Sequence, residues 1–304
     1  MNDKTVVIIC GPTAVGKTAL AIQLATYFDT EIISADSRQC FQELNIGVAK
    51  PSIIELRQVQ HYFINSYSIH DDVNAVVFEQ YALEATATIF QENNIAIMVG
   101  GTGLYIKAFC EGLDTIPNIP EEIRTSITQQ YQNLGLTWLQ EQVQTKDPQF
   151  WQIAEQQNPQ RLLRALEVWE ATGQSITSFR TGAKNERPFN SIKIGLELPR
   201  EILYERINTR VDAMMQDGLL QEVENLIPYQ QLNALQTVGY KEFFTYFNHQ
   251  ITKEKAIEEL KKNTRHYAKR QMTWFKKDAS VEWFSPQQFN EIISYLQQKS
   301  VSKN

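Results

Sequence analysis

Cysteine and histidine are scarce in this chain: three and four, respectively, among 304 residues. Cys10, Cys40 and Cys110 are odd in number, widely spaced and outside any C-x-x-C pattern, so a disulfide framework is excluded and buried, reduced thiols are expected. Reduced thiols imply the cytoplasm. No histidine stands at ligand spacing, which argues against a structural zinc site. Long apolar runs are missing as well, none approaching the ~18 residues that a membrane span needs. The opening Met-Asn-Asp-Lys-Thr passes straight into a β-branched segment, so no secretory leader is expected. Positive charge is in deficit, at a net −6, which on average disfavours a nucleic-acid partner.

The average conceals a local exception. Residues 261–277, "KKNTRHYAKRQMTWFKK", hold seven Lys or Arg and no acid, so the rest of the chain carries −13. Such a stripe is what a phosphate backbone would meet. Within it Lys262, Arg265, Lys269 and Lys276 fall on one helical face. Tyr267 and Trp274 fall on another, where they read as core and not as platforms for stacked bases. The remaining composition, 42% hydrophobic and 21% charged, is that of a globular protein with a real core. The length suits about two domains.

Strand signals are short and alternate with helical ones. Thr5–Cys10 precedes a helix from Lys17 to Phe28; Glu31–Ser34 and Tyr62–Ser66 follow; a helix over Val76–Gln91 leads into Ile95–Val99; Ile192–Leu198 comes later. This order predicts an α/β fold, a parallel sheet flanked by helices. "LDTIPNIPEEI", with Pro117 and Pro120, marks an exit from the sheet, and "RTGAKNERPFNS" over 180–191 marks the return. Between them lie only helical signals, so residues 117–186 form an inserted all-helical domain, and 1–116 with 187–304 form the core. One inserted helix has clear limits, with Asn158 as N-cap, Pro159 in its first position and Gly173 past its end. The last eight residues, "QQKSVSKN", are expected to fray.

The first strand empties into Gly11-Pro12-Thr13-Ala14-Val15-Gly16-Lys17-Thr18, and a helix follows at once. These eight residues fit G-x-x-x-x-G-K-[ST], a P-loop whose backbone N–H groups and helix N-terminus face an anion. Lys17 adds a point charge to the outer phosphates, and the Thr18 hydroxyl suits Mg²⁺. Ligands of an open parallel sheet bind outside the carboxyl ends of its strands. The second strand ends at Asp36-Ser37-Arg38-Gln39 and the "IAIMV" strand at "GGTGLY", so the three loops share one edge. Asp36 reads either as a turn or cap residue or as a base or metal ligand facing the phosphate site. Ser37, Arg38 and Gln39 carry groups suited to a base edge, Gln pairing bidentately with adenine in one recurring mode. Thr102 offers a hydroxyl, though "GGTG" serves equally as a tight turn.

"GPTAVGKT", "DSRQ", "GGTGLY", "QRLLRALEV", "QTVGYKE" and "RHYAKRQMTWF" stand in the order found in bacterial tRNA dimethylallyltransferases, and the chain resembles that family from about Val6 to Trp283. The resemblance implies a P-loop NTPase-like core. It implies transfer of a dimethylallyl group from dimethylallyl diphosphate to the N6 amine of the adenosine 3′ to the anticodon, with Mg²⁺ as cofactor. On that reading the P-loop grips a leaving diphosphate, and Asp36 takes the amine proton. tRNA-contacting positions carry over to Asp36–Gln39, Thr102, Arg124 and Gln160, Arg161, Leu162, Leu163 and Arg164. Arg161 and Arg164 share a helical face and could equally be ion-paired with Glu167. Arg206 and Arg210 share another; Arg210 is the preferred diphosphate clamp, with pairing to Glu205 or Asp212 as the alternative. A histidine usual before "NPQRLLR" is replaced within Ala154–Gln157, which leaves that part of the RNA contact in question. The expected partners are the tRNA anticodon stem-loop and dimethylallyl diphosphate; a monomer is expected, and no membrane. A prenyltransferase of free adenine nucleotides, a small-molecule P-loop kinase and a nucleotide-gated RNA-binding module remain as rivals.

Overall fold

The computed structural model describes residues 4–301. Six parallel strands, β1 (Thr5–Cys10), β2 (Ile32–Ser34), β3 (His61–Tyr62), β4 (Ile95–Val99), β5 (Asn190–Leu196) and β6 (Val281–Phe284), form one sheet in the order β3-β2-β4-β1-β5-β6. The helices α1 (Lys17–Tyr27), α2 (Ile53–Gln58), α3 (Ala75–Glu92) and α4 (Gly103–Glu111) connect or follow the first four strands. The chain then runs through α5 (Glu121–Lys146), α6 (Pro148–Trp151) and α7 (Pro159–Thr172). After β5 come α8 (Arg200–Gln216), α9 (Leu219–Asn225), α10 (Lys241–Phe247), α11 (Lys253–Phe275) and, after β6, α12 (Phe289–Val301).

β1 is central, and every residue in it is buried. Its β-branched side chains alternate between two cores. Val6, Ile8 and Cys10 join the cluster under α3, α4, α10 and α11, while Val7 and Ile9 join the one under α1 and α12. Each such burial contributes about 2 kcal/mol, and a strand apolar on both faces is stable only between two helical layers. The carboxyl ends of β1, β2 and β4 lie side by side, so the loops that follow them are neighbours.

Some boundaries depart from the sequence reading. The strand expected over 62–66 stops at Tyr62 because Phe63 and Asn65 are left-handed, at φ 62° and 54°. β5 begins at Asn190 and yields to Pro199 before α8. β6, four residues on the sheet edge, was not anticipated. α12 is helical to Val301, against the fraying expected from 297; residues 302–304 of that expectation lie outside the described residues. Among the described residues no helix is long and apolar enough to cross a membrane.

The chain divides into two compact units, residues 1–111 with 186–304 and residues 112–185. The smaller unit is all helical and has its own core, centred on Leu139, Val143, Leu162 and Val168. α5 kinks at Gly135, which is at φ 76°. The Asn158 side chain accepts from the Arg161 N–H at 3.3 Å to start α7, and Gly173, left-handed at φ 68°, ends it.

Candidate active site

The loop after β1 curls back on itself. Gly11 sits at φ 139°, and a Cβ there would come within 2.6 Å of the Leu196 carbonyl, so only glycine lets β1 pass into the turn. The N-cap of α1 is Gly16, without a side-chain cap. The first N–H groups of the helix are thereby left for a bound anion. Lys17 lies inside the curl, its Nζ donating to the Pro12 carbonyl at 2.7 Å. Burial, with Arg210 adding to it and Asp36 opposing it, lowers the Lys17 ammonium to about 8. From α8, Arg210 reaches the Thr13 hydroxyl and Arg206 the Val15 carbonyl, each at 3.4 Å. Neither arginine makes an ion pair among the described residues, and Asp212 pairs instead with Lys261. Burial and the Arg206 charge pull the Arg210 guanidinium below its usual range. Three cations thus converge on the curl with no ion pair among the described residues, Asp36 and Glu55 acting on Lys17 and Arg210 only by their nearby charge, an arrangement an anion would relieve.

Asp36 faces this curl closely enough for its charge to act on Lys17. Its Oδ1 accepts from the N–H groups of Arg38 (2.9 Å) and Gln39 (3.3 Å), a turn-capping role. Among the described residues Oδ2 accepts nothing, so the cap and the open acceptor coexist in one carboxylate. The loops after β2 and β4 interlock. A Cβ on Gly100 would collide with the Ala35 carbonyl, and the Thr102 N–H donates to that same carbonyl at 3.2 Å. The Thr102 hydroxyl accepts from the Ser37 N–H at 3.1 Å and hydrogen-bonds Tyr267. Together these loops and α8 and α11 enclose a cleft of about 460 Å³.

A family model for IPP transferases matches residues 39–278. This chain belongs to that family. The tRNA dimethylallyltransferases of Cytophaga hutchinsonii and Christiangramia forsetii are 46% and 47% identical to it, over 98% and 96% of this chain and 98% and 97% of theirs. The solved tRNA isopentenylpyrophosphate transferase of Bacillus halodurans superposes with a TM-score of 0.73 at 33% identity, covering 99% of this chain and 98% of that one. A eukaryotic dimethylallyltransferase solved while acting on tRNA gives 0.76 at 25% identity, over 98% of this chain and 78% of that one.

Several side chains sit otherwise than the sequence reading placed them. Gln39 spends both amide hydrogens inside the protein, on the carbonyls of Val48 (3.3 Å) and Ala49 (3.0 Å), and its Oε1 accepts from Ser34 Oγ at 3.2 Å. Bidentate pairing with adenine would need one of those hydrogens, so Gln39 is a brace in this geometry. Leu162 and Leu163 are buried in the helical unit, which leaves Gln160, Arg161 and Arg164 as the side chains of that segment able to reach a partner. Arg164 pairs with Glu167 at 3.2 Å, Arg124 with the same carboxylate at 3.8 Å, and Arg161 with Glu155 at 3.5 Å. On α11, Lys262 is tied to Glu259 and Lys269 is exposed; just past its end Lys276 is tied to Glu197. The aromatics expected in the core are not there: Tyr267 lines the cleft, and Trp274 is 42% exposed beside Gly103.

Sequence reasoning missed Gln271. It is buried on α11; its Oε1 accepts from the Thr13 N–H at 2.8 Å and its Nε2 donates to the Gly101 carbonyl at 3.0 Å, clipping the first loop to the third. The signal was present. Leu260, Ala268, Gln271 and Phe275 form the buried stripe of α11, and a lone amide in an apolar stripe asks for a partner. His61 was also passed over; it lines the cleft, its Nδ1 bound to the Val59 carbonyl and its buried Nε2 without a hydrogen-bond partner among the described residues.

Proposed function

We propose that this chain transfers the dimethylallyl group of dimethylallyl diphosphate to the N6 amine of the adenosine 3′ to the anticodon in tRNA, releasing diphosphate. One observation carries the reading: the Asp36 carboxylate, its Oδ2 unengaged among the described residues, shares one cleft with the uncapped start of α1 and the half-buried Lys17. A P-loop alone serves many phosphate chemistries; beside this carboxylate it suits a reaction that discards the phosphate and removes a proton.

The C1–O bond of the allylic diphosphate breaks as the N6–C1 bond forms. Charge grows on the leaving oxygen, where the nest, Lys17 and Arg210 stabilise it; one well-aimed donor of this kind contributes about 3 kcal/mol. The amine is a poor nucleophile, so its placement matters as much as its activation. Asp36 Oδ2 accepts the N6 proton as the new bond forms. The Thr18 hydroxyl at the head of α1 and the diphosphate oxygens are hard donors that fit Mg²⁺, which usually takes few protein ligands. When bound there, Mg²⁺ supplies further neutralisation of the diphosphate. Thr102, with its hydroxyl holding Ser37 and Tyr267, maintains the wall that the adenine enters against.

The RNA is met by Ser37 and Arg38 at the cleft, by Gln160, Arg161, Arg164 and Arg124 on the helical unit, and by the exposed cations of α11. The target base must leave its stack to reach a sheet-edge cleft. The reaction takes place in the cytoplasm, and the working form is a monomer. The deciding experiment incubates the protein with labelled dimethylallyl diphosphate and an unmodified anticodon stem-loop, and prenylated adenosine is the expected product. Transfer of phosphate from ATP to an acceptor, with no prenylated adenosine, would overturn the reading.

A further inference from the structure

The segment "QTVGYKE", Gln236–Glu242, has no place in the chemistry above, although Thr237 and Val238 line the cleft. Its Tyr240 is fully buried and donates through its hydroxyl to Glu222 Oε1 at 2.7 Å. Glu222, on α9, also accepts from two successive backbone N–H groups, Ile46 at 2.8 Å and Gly47 at 3.0 Å. The packing there is tight: a Cβ on Gly47 would lie 2.7 Å from the Tyr240 ring. Glu242, held by Asn263 of α11 at 2.7 Å, accepts from the Gly239 N–H at 2.9 Å and secures the same turn.

The loop these residues grip has no ladder of its own, being a run of turns between β2 and α2. Its next two carbonyls, Val48 and Ala49, receive both hydrogens of the Gln39 amide, and the Gln39 N–H donates to Asp36 Oδ1. A path of hydrogen bonds, joined by the backbone of the 46–49 loop and by the body of Gln39, therefore runs from Tyr240 through Glu222 to the carboxylate facing the P-loop. The nest itself is held by other means, Gln271 and Arg210.

We propose that Glu222 is a positioning residue for Asp36, acting through the 46–49 loop and the Gln39 side chain, with Tyr240 orienting Glu222. The proposal rests on Asp36 being the proton acceptor. A carboxylate suits the post because it accepts all three hydrogen bonds at once, whereas an amide oxygen flanked by its own NH₂ must leave one backbone N–H facing a donor. Displacements of about 1 Å in a catalytic group commonly cost up to ~10²-fold in rate, so a loosened loop is felt at the chemical step.

The test is a double-mutant cycle in single-turnover prenyl transfer, with Glu222→Gln, Asp36→Asn and both together. Glu222→Gln should slow transfer about tenfold while the KM for dimethylallyl diphosphate stays within about twofold. In the Asp36→Asn background the same substitution should cost nothing more, because there is no base left to misplace. An equal tenfold loss in that background, or a raised KM with an unchanged rate, overturns the proposal and leaves the base role standing. If Asp36→Asn itself transfers at the normal rate, the base role falls and the positioning role with it. Should Glu222→Gln fail to fold, Tyr240→Phe gives the same cycle with a smaller step of about threefold, and additivity there is equally fatal.

Discussion

The cations of the sheet-edge cleft and those of the helical unit are prepared in opposite ways. In the cleft, Lys17, Arg206 and Arg210 rest against carbonyl and hydroxyl oxygens, with no ion pair among the described residues and with desolvation lowering the first and third. In the helical unit, Arg124 and Arg164 share Glu167, and Arg161 has Glu155. A partly desolvated cation without an ion pair, such as Lys17 or Arg210, is costly until an anion arrives, so binding there is strong and local. An exposed, paired cation costs little and must give up its partner to take a phosphate, so its contribution is small and salt-sensitive. On the function proposed above, the first region would hold a single compact diphosphate and the second the distributed charge of a polynucleotide.

The sharpest way to break this contrast is Asp36→Asn, which should slow prenyl transfer by about 10³-fold while stem-loop affinity stays within about twofold. Unchanged transfer in a single-turnover assay would remove the reason for pairing nest and carboxylate. Next in size is Lys17→Met. Losing a charge-assisted donor of ~2–3 kcal/mol should weaken diphosphate binding about 30- to 160-fold by calorimetry and leave RNA binding alone. If instead the stem-loop dissociates, the cleft cations are serving RNA.

The pH dependence sharpens the same point. Free Lys17 titrates at about 8 and only its protonated form favours diphosphate, so affinity should be flat in this group below that value. Above it affinity should fall about tenfold per pH unit, and at pH 8 binding should take up about half a proton. Calorimetry in buffers of different ionisation enthalpy measures that uptake, and Lys17→Met should abolish it. Smaller effects belong to the helical unit. Arg161→Gln should weaken stem-loop binding about threefold and lower the salt slope by about one. Smallest is Glu167→Gln, which releases Arg124 and Arg164 from competition and should tighten RNA binding about twofold at low salt. Weaker binding would mean that Glu167 orients those arginines instead of competing for them.

Local pattern was enough for much of this. The β-branched run of β1, the Gly11–Thr18 turn and the helix after it are short-range features, and their strand order already implied that the loops after β1, β2 and β4 share an edge. The start and stop of α7 were legible because caps are chosen within three or four residues. Where backbone chemistry decides, neighbouring residues suffice. What a side chain bonds to was another matter. Gln39 could read a base or brace a loop, and its amide reaches the Val48 and Ala49 carbonyls, partners that nothing in its own segment announces. Trp274 fell on an aromatic face that periodicity assigned to the core, yet that face turned toward the rim at Gly103. Gln271 meets Thr13 across 258 residues, and Glu222 meets Ile46 across 176. Partners so far apart are chosen by how helices pack over the sheet. A hydrogen bond needs atoms within about 3 Å, and periodicity specifies only which face a residue is on.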